Sequence, residues 1–226
     1  YKRKGRFVRN VSSFNYIEGA PFAYYLPSKA LKAFETGERL KKLLRPKQGT
    51  STGADDRFVR SWYEINYTEI GFGYISTEAA HESQKKYFPL DKGGEFRKWF
   101  GNNEKVILYN ITNYEKLLTM GNHLPSRQFY FQPGLTWSKI ATVLSVRHDP
   151  EGFVFSSVGL KGFPSSENTK YILGFMNSVV CKYYVKVISP GMSIVSGDIE
   201  KIPLVICDKD QVDGIVTVSY THLRAH

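Results

Sequence analysis

A chain of 226 residues, 42% hydrophobic and 15% aromatic, carries enough apolar surface for a packed core, which excludes a disordered tail. Its net charge of +10 favours a polyanionic partner, a bias that nucleic-acid-binding, ribosomal and membrane-surface proteins share. No apolar run reaches membrane-spanning length and no charged-then-apolar leader is present, so the expected location is cytoplasmic, without a membrane partner.

The chain opens on Tyr1 and the basic Lys2, Arg3, Lys4, Arg6 and Arg9, and reads as a slice of a longer protein. Ser28 is placed to cap a helix with Leu31 and Phe34 inward. Thr36-Gly37 interrupts it, and Leu40, Leu43 and Leu44 resume helical spacing until Pro46 stops the helix. Its exposed faces carry Lys29, Lys32, Arg39, Lys41, Lys42 and Arg45. Gln48 to Gly53 reads as a flexible loop, after which Asp55 or Asp56 opens a helix with Phe58, Val59 and Trp62 inward and Arg57 and Arg60 outward. From Phe72 to Ser165 short apolar runs predict strands, among them Lys105–Tyr109, Thr142–Val146 and Gly152–Phe155. Thr169 to Ile188 predicts one long helix with Phe175 and Val179 on a buried stripe, ended by Ser189-Pro190-Gly191, and Ile199 to Ile206 predicts a closing strand. The order gives an α+β fold: a helical opening segment, then a β-rich domain with one long C-terminal helix. The expected divisions are a basic helical connector over 1–66, a recognition domain over 67–206 and a tail over 207–226, of which Val218–His226 resembles translated sequencing-adapter read-through.

Catalytic signatures are missing. Cys181 and Cys207 stand alone in apolar stretches and read as buried thiols, and the histidines are scattered, so no metal is expected. Gly71 and Gly73 lack the third glycine of a nucleotide-binding turn and read as a bulge or turn. Asp91, Glu95 and Lys98 form a compact charged group without metal-ligand spacing, and read as turn and surface charges. The distinctive segment is Asp91 to Asn103. There Gly93 and Gly94 permit close backbone approach to phosphate, Lys92, Arg97 and Lys98 neutralise it, and Asn102 and Asn103 offer amides to base edges. The same residues also fit a glycine turn followed by an amphipathic stretch with Phe96, Trp99 and Phe100 buried. Gly134-Leu-Thr-Trp-Ser138 is a second candidate, with Thr136 and Ser138 as short polar readers and Trp137 as platform or core.

These segments resemble the phage-exclusion (BREX) adenine-specific DNA methyltransferase family. The resemblance runs through Phe14–Tyr25, Lys47–Phe58 with Trp62-Tyr-Glu64, Phe88–Asn103, Gly134–Ser138, Tyr171–Ser178 and Gly197–Pro203, in matching order. It implies a parent enzyme that methylates adenine N6 from S-adenosylmethionine, and places this chain in its C-terminal target-recognition part, beyond the catalytic domain. On this reading the chain itself has no catalytic residue and holds no cofactor. Its partner is double-stranded DNA, with other BREX proteins as further partners. Lys47, Arg57, Lys92, Gly93, Gly94, Arg97, Lys98, Asn102, Asn103, Thr136 and Ser138 are the DNA-binding candidates. Two other readings stay open: a protein-interaction module anchored by Trp62, Trp99 and Trp137, and the specificity domain of a fused restriction-methylation enzyme.

Overall fold

The computed structural model describes residues 15–17, 19, 26–121, 123–204 and 208–225. The basic opening residues, most of Phe14–Tyr25 and Cys207 therefore lie outside the described residues. In chain order the elements are α1 (Ser28–Thr36), β1 (Glu38–Arg39), β2 (Leu44–Lys47), α2 (Asp55–Phe58), β3 (Val59–Ser61), α3 (Thr77–Glu82), β4 (Tyr87–Asp91) and β5 (Lys105–Leu108). There follow α4 (Ile111–Thr119), β6 (Gly134–Ser138), β7 (Val146–Asp149), β8 (Val154–Phe155), β9 (Gly159–Pro164), α5 (Thr169–Met176), α6 (Val179–Ile188), α7 (Ser196–Glu200), β10 (Pro203–Leu204) and α8 (Lys209–Arg224). The fold is α+β, as the sequence predicts, with a long C-terminal helix.

Three sheets organise the described residues. One has the order β2-β9-β6-β7, a second β3-β5-β4-β8, and β1 pairs with β10. All pairings are antiparallel except β4 with β8. The first sheet presents Leu135, Trp137, Val146 and Leu160 to Phe34, Ile172, Leu173, Met176 and Tyr184 of the helices. The second core is dominated by rings: Phe88, Tyr109, Tyr130, Phe131 and Phe155 meet largely edge to face, the arrangement that ring quadrupoles favour, and Phe58 is buried in the same cluster. Strands from residues before 66 enter both larger sheets and pair there with strands that follow residue 67.

Several expectations are corrected. Helical spacing does not continue past Gly37, which is extended and lets β1 turn onto β10; a Cβ there would stand 2.5 Å from Ala33 O. Leu44 and Pro46 are buried in β2 by period-two alternation, and Pro46 is tolerated because β2 is an outer strand. Ser28 is the first helical residue, not the cap. The 48–53 stretch is not a free loop: Thr50 and Thr52 are buried, and Thr50 N donates to Phe155 O at 2.9 Å. After Phe58 the chain becomes extended, and the Ser61–Glu64 capping box turns Trp62 out to 47% exposure. Strands begin at Val146 and Val154, later than the apolar runs suggest, and α3 and α4 interrupt the β-rich middle. Residues 196–200 are helical, leaving only Pro203–Leu204 as strand.

The stripe expected over Thr169–Ile188 is two helices. Asn177 turns the chain, and Ser178 caps the second helix by accepting from Cys181 N at 3.1 Å. Val179 is consequently 83% exposed and Phe175 only half-buried, so they do not share a buried face. The longest helix is instead α8, within the stretch expected as a tail: Val212, Ile215, Val216 and Leu223 pack at helical spacing against the first core. Gly174 allows that approach, since a Cβ would meet Ile215 Cγ2 at 2.6 Å.

Candidate nucleic-acid interface

The 92–104 segment leaves β4 and returns as β5. Its base is tied by three side chains. Asp91 Oδ1 accepts from Gly93 N at 2.9 Å, Ser138 Oγ donates to Gly94 O at 2.8 Å, and Asn102 Nδ2 donates to Glu95 O at 2.9 Å. Gly93 and Gly94 have φ of +74° and +121°, a run that favours glycine, and a Cβ on Gly94 would lie 2.9 Å from Asn102 Nδ2. Midway, Trp99 bridges β7: its N donates to Val146 O at 2.9 Å and its O accepts from His148 N at 2.7 Å. The segment is therefore a seated ridge rather than a free loop. Glu95, Phe96, Arg97 and Phe100 are exposed on it.

A depression lies on either side. Trp62, Arg97, Lys98, Phe100, Asn103 and Glu104 line one, and Gly94, Glu95, Phe96, Ile140, Thr142 and Val143 line the other. Lys98 Nζ donates to Asn177 O at 3.1 Å, which fixes the ridge to the turn between α5 and α6. Lys182 sits 5.1 Å above the Phe96 ring, and its pKa is lowered by burial and by the adjacent Lys98 charge. Lys92 pairs with Asp55 and so joins the ridge to α2, on which Arg57 is exposed and rests over Phe58. Burial pushes the Asp55 carboxyl up, but hydrogen bonds from Lys92 and Thr52 outweigh it and hold the pKa below the ordinary carboxylate value.

Of the sequence-derived candidates, Lys92, Gly93, Gly94, Arg97, Lys98, Asn102, Asn103 and Ser138 come together here. Lys47 does not; it lies on β2 with its ammonium 5.6 Å from the Phe129 ring centre. Thr136, Ser138 and Asn102 are buried, with their polar groups spent on backbone carbonyls, Thr136 Oγ1 on Leu160 O at 3.0 Å. The expectation that they face bases is corrected accordingly: Ser138 and Asn102 tie down the ridge, and Thr136 is closed within the sheet. Trp137 is core, its Nε1 donating to Ile194 O. Phe96 and Phe100 are exposed, against the reading that buries them, while Trp99 is half-buried and stacked on His222 at 4.4 Å.

Beneath the ridge lies a charged layer that no sequence motif announces. Arg147 and Asp91 approach to 3.6 Å, and Lys161 meets Asp149 at 2.6 Å, all four buried. Pairing places Arg147, Thr136, Lys161 and Lys47 in one cross-strand row, on the face opposite Leu135 and Trp137. Gly134 makes room, since a Cβ would stand 2.9 Å from Lys161 Cε. Burial and the nearby Asp91 carboxylate raise the Asp149 pKa against the pull of Lys161. Alternation in Val146-Arg-His-Asp149 is the one sequence signal that could have put Arg147 and Asp149 on a common face. Among the described residues no group of His, Cys, Asp or Glu could hold a metal, and no helix is long and apolar enough to cross a membrane. At the glycine pair of residues 71 and 73, Gly71 N is spent on Tyr87 O and a Cβ on Gly71 would meet Phe88 at 2.6 Å, so that turn has no room for a cofactor phosphate or amino-acid group.

No family model matches the chain. It is 33% identical over 205 residues to the adenine-specific methyltransferase PglX of Lacticaseibacillus casei (strain Zhang), covering 85% of this chain and 17% of that protein. The adenine-specific methyltransferase BrxX of Escherichia coli O9:H4 (strain HS) is 34% identical over 205 residues, covering 86% and 16%. The chain thus spans about one-sixth of the length of these curated relatives. The structure of the Type IIL restriction-modification enzyme MmeI in complex with DNA is similar in fold, with a TM-score of 0.54 at 15% identity over 83% of this chain and 28% of that one.

Proposed function

Because the chain belongs to the family of the adenine-specific methyltransferases PglX and BrxX, we propose that it is the part of such an enzyme that recognises double-stranded DNA at a defined sequence. The observation that carries this reading is the seated ridge: a glycine-rich excursion whose base is tied by buried side chains and whose exposed crest bears Arg97, next to Lys98 and Lys182. A rigid cationic convexity between two depressions suits a duplex groove, with cations meeting phosphate and the crest meeting base edges. The cofactor, S-adenosylmethionine, would be held by the remainder of the parent, which would supply the methyl group to adenine N6 in phage defence. This chain would hold the duplex while that part extrudes the adenine.

Salt dependence of duplex binding tests the proposal. The logarithm of the association constant is expected to fall linearly with the logarithm of salt, and Lys182→Ala to make the slope shallower by about one unit. A folded chain that binds no duplex, or binds with no salt dependence, would refute it. Of the two rival readings, the protein-interaction module keeps only Trp62 as an exposed tryptophan, beside exposed Tyr63 and Tyr67. The fused restriction-methylation enzyme draws on the fold likeness to MmeI, and a nuclease domain in the same reading frame would decide for it.

A further inference from the structure

We propose that Glu95 and Arg97, two residues apart on the crest of the ridge, choose the bases that the parent enzyme methylates within; the inference rests on the DNA-recognition reading above. Three observations lead there. First, of the four amides and hydroxyls that the sequence offers as readers, Asn102, Thr136 and Ser138 are buried and already bonded to backbone carbonyls, and Asn103 is half-buried in the depression beside Trp62. Second, the backbone that carries Glu95 and Arg97 is fixed. Asn102 holds the Glu95 carbonyl, Ser138 holds the Gly94 carbonyl, and the Arg97 stem lies across Gly101, where a Cβ would stand 3.0 Å from Arg97 Cδ. Third, both charged heads are exposed, and neither forms an ion pair among the described residues.

The acid is the discriminating feature. A carboxylate on a surface that meets phosphates is repelled by them, so Glu95 gains nothing from the backbone of a duplex. It gains where an exocyclic amine points into the groove, as on cytosine N4, while Arg97 matches the paired acceptors O6 and N7 of guanine. An acceptor and a donor two residues apart on one pinned crest, Glu95 at the rim of one depression and Arg97 at the rim of the other, suit the two bases of a G·C pair. Phe96 lies between the two and is 57% exposed, with Lys182 over its ring, so the crest also offers an apolar surface to a base edge. Asn102 acts as a positioning residue, because its amide reaches the crest only through the Glu95 carbonyl.

The experiment uses the full-length methyltransferase that carries this chain, produced in a host without adenine methylation of that pattern, with methylated adenines mapped by single-molecule sequencing. Glu95→Gln and Arg97→Ala should each relax one position of the methylated site, raising modification at sites with the wrong base there by about tenfold or more. Arg97→Lys, which keeps the charge and loses the fork, should relax the same position as Arg97→Ala. Melting temperatures should match the unsubstituted enzyme, since both side chains are exposed. If all three variants methylate the original site with the original stringency, the assignment of these two residues is wrong. Replacing the whole chain by the corresponding segment of the Lacticaseibacillus casei relative separates the two levels. A site that moves with the segment but not with Glu95 or Arg97 overturns this inference alone, and a site that does not move with the segment overturns the DNA-recognition reading itself.

Discussion

Asn177 should be worth far more to this fold than an ordinary helix-end residue. Its side chain stands in for a missing strand: Oδ1 accepts from Val146 N at 3.0 Å and Nδ2 donates to Val146 O at 2.8 Å, on the open edge of β7. Trp99 N also donates to Val146 O, at 2.9 Å, so Asn177→Ala leaves that oxygen one donor but strips the buried Val146 N–H of its acceptor. An unsatisfied buried donor costs about 1–3 kcal/mol and the lost second bond about 0.5–1.5 kcal/mol more, together about 1.5–4.5 kcal/mol. That is a large share of the roughly 5–15 kcal/mol that holds a typical domain. Urea denaturation of the two proteins should show the loss as a lower midpoint at an unchanged slope, and hydrogen exchange should show the Val146 amide losing protection. A loss under about 0.5 kcal/mol would refute the reasoning and mean that the β7 edge is held by the Trp99 bridge alone.

Two further outcomes follow from the charged layer. Burial, then the Lys161 and Lys170 charges, lower the His148 pKa, so the folded chain binds fewer protons than the unfolded one as pH falls below the ordinary value of 6.5, and stability declines there. His148→Gln should therefore gain in melting temperature relative to the native chain on going from pH 8 to pH 5.5, and a gap that stays constant would exclude this titration. Lys161→Met strands the Asp149 carboxylate in the interior and should cost about 3–5 kcal/mol, whereas adding Asp149→Leu should recover most of it, as read from paired denaturation curves.

The sequence makes the composition of the fold legible, and the places where it misleads share a cause. Leu40, Leu43 and Leu44 fit a helical face, but the period-two burial of Leu44 and Pro46 depends on β9 lying alongside, and that partner is more than a hundred residues away. The stripe through Tyr171 and Val187 is continuous in one dimension, yet Asn177 leaves the helix because the edge of β7 needs a donor and an acceptor. Trp62 continues a helical count from Phe58, but Val59–Ser61 extend as β3 against β5 and end that count. Each case is a tertiary demand overriding a local period.

The ridge separates two kinds of polar residue that look alike in sequence. Gly134-Leu-Thr-Trp-Ser138 reads as a pair of short polar contacts around a ring, but β6 lies between β9 and β7, so Thr136 faces Arg147 on one side and Lys161 on the other. A hydroxyl in that row is enclosed whatever its chemistry, and it stays because Leu160 O accepts its proton. Ser138, one step along the same face, lies at the strand end, where it can pin Gly94 and with it the crest. Under the proposed function, the motif would contribute to recognition by fixing where Glu95 and Arg97 stand. Removing the Ser138 hydroxyl would loosen the geometry of the crest while leaving its charges in place.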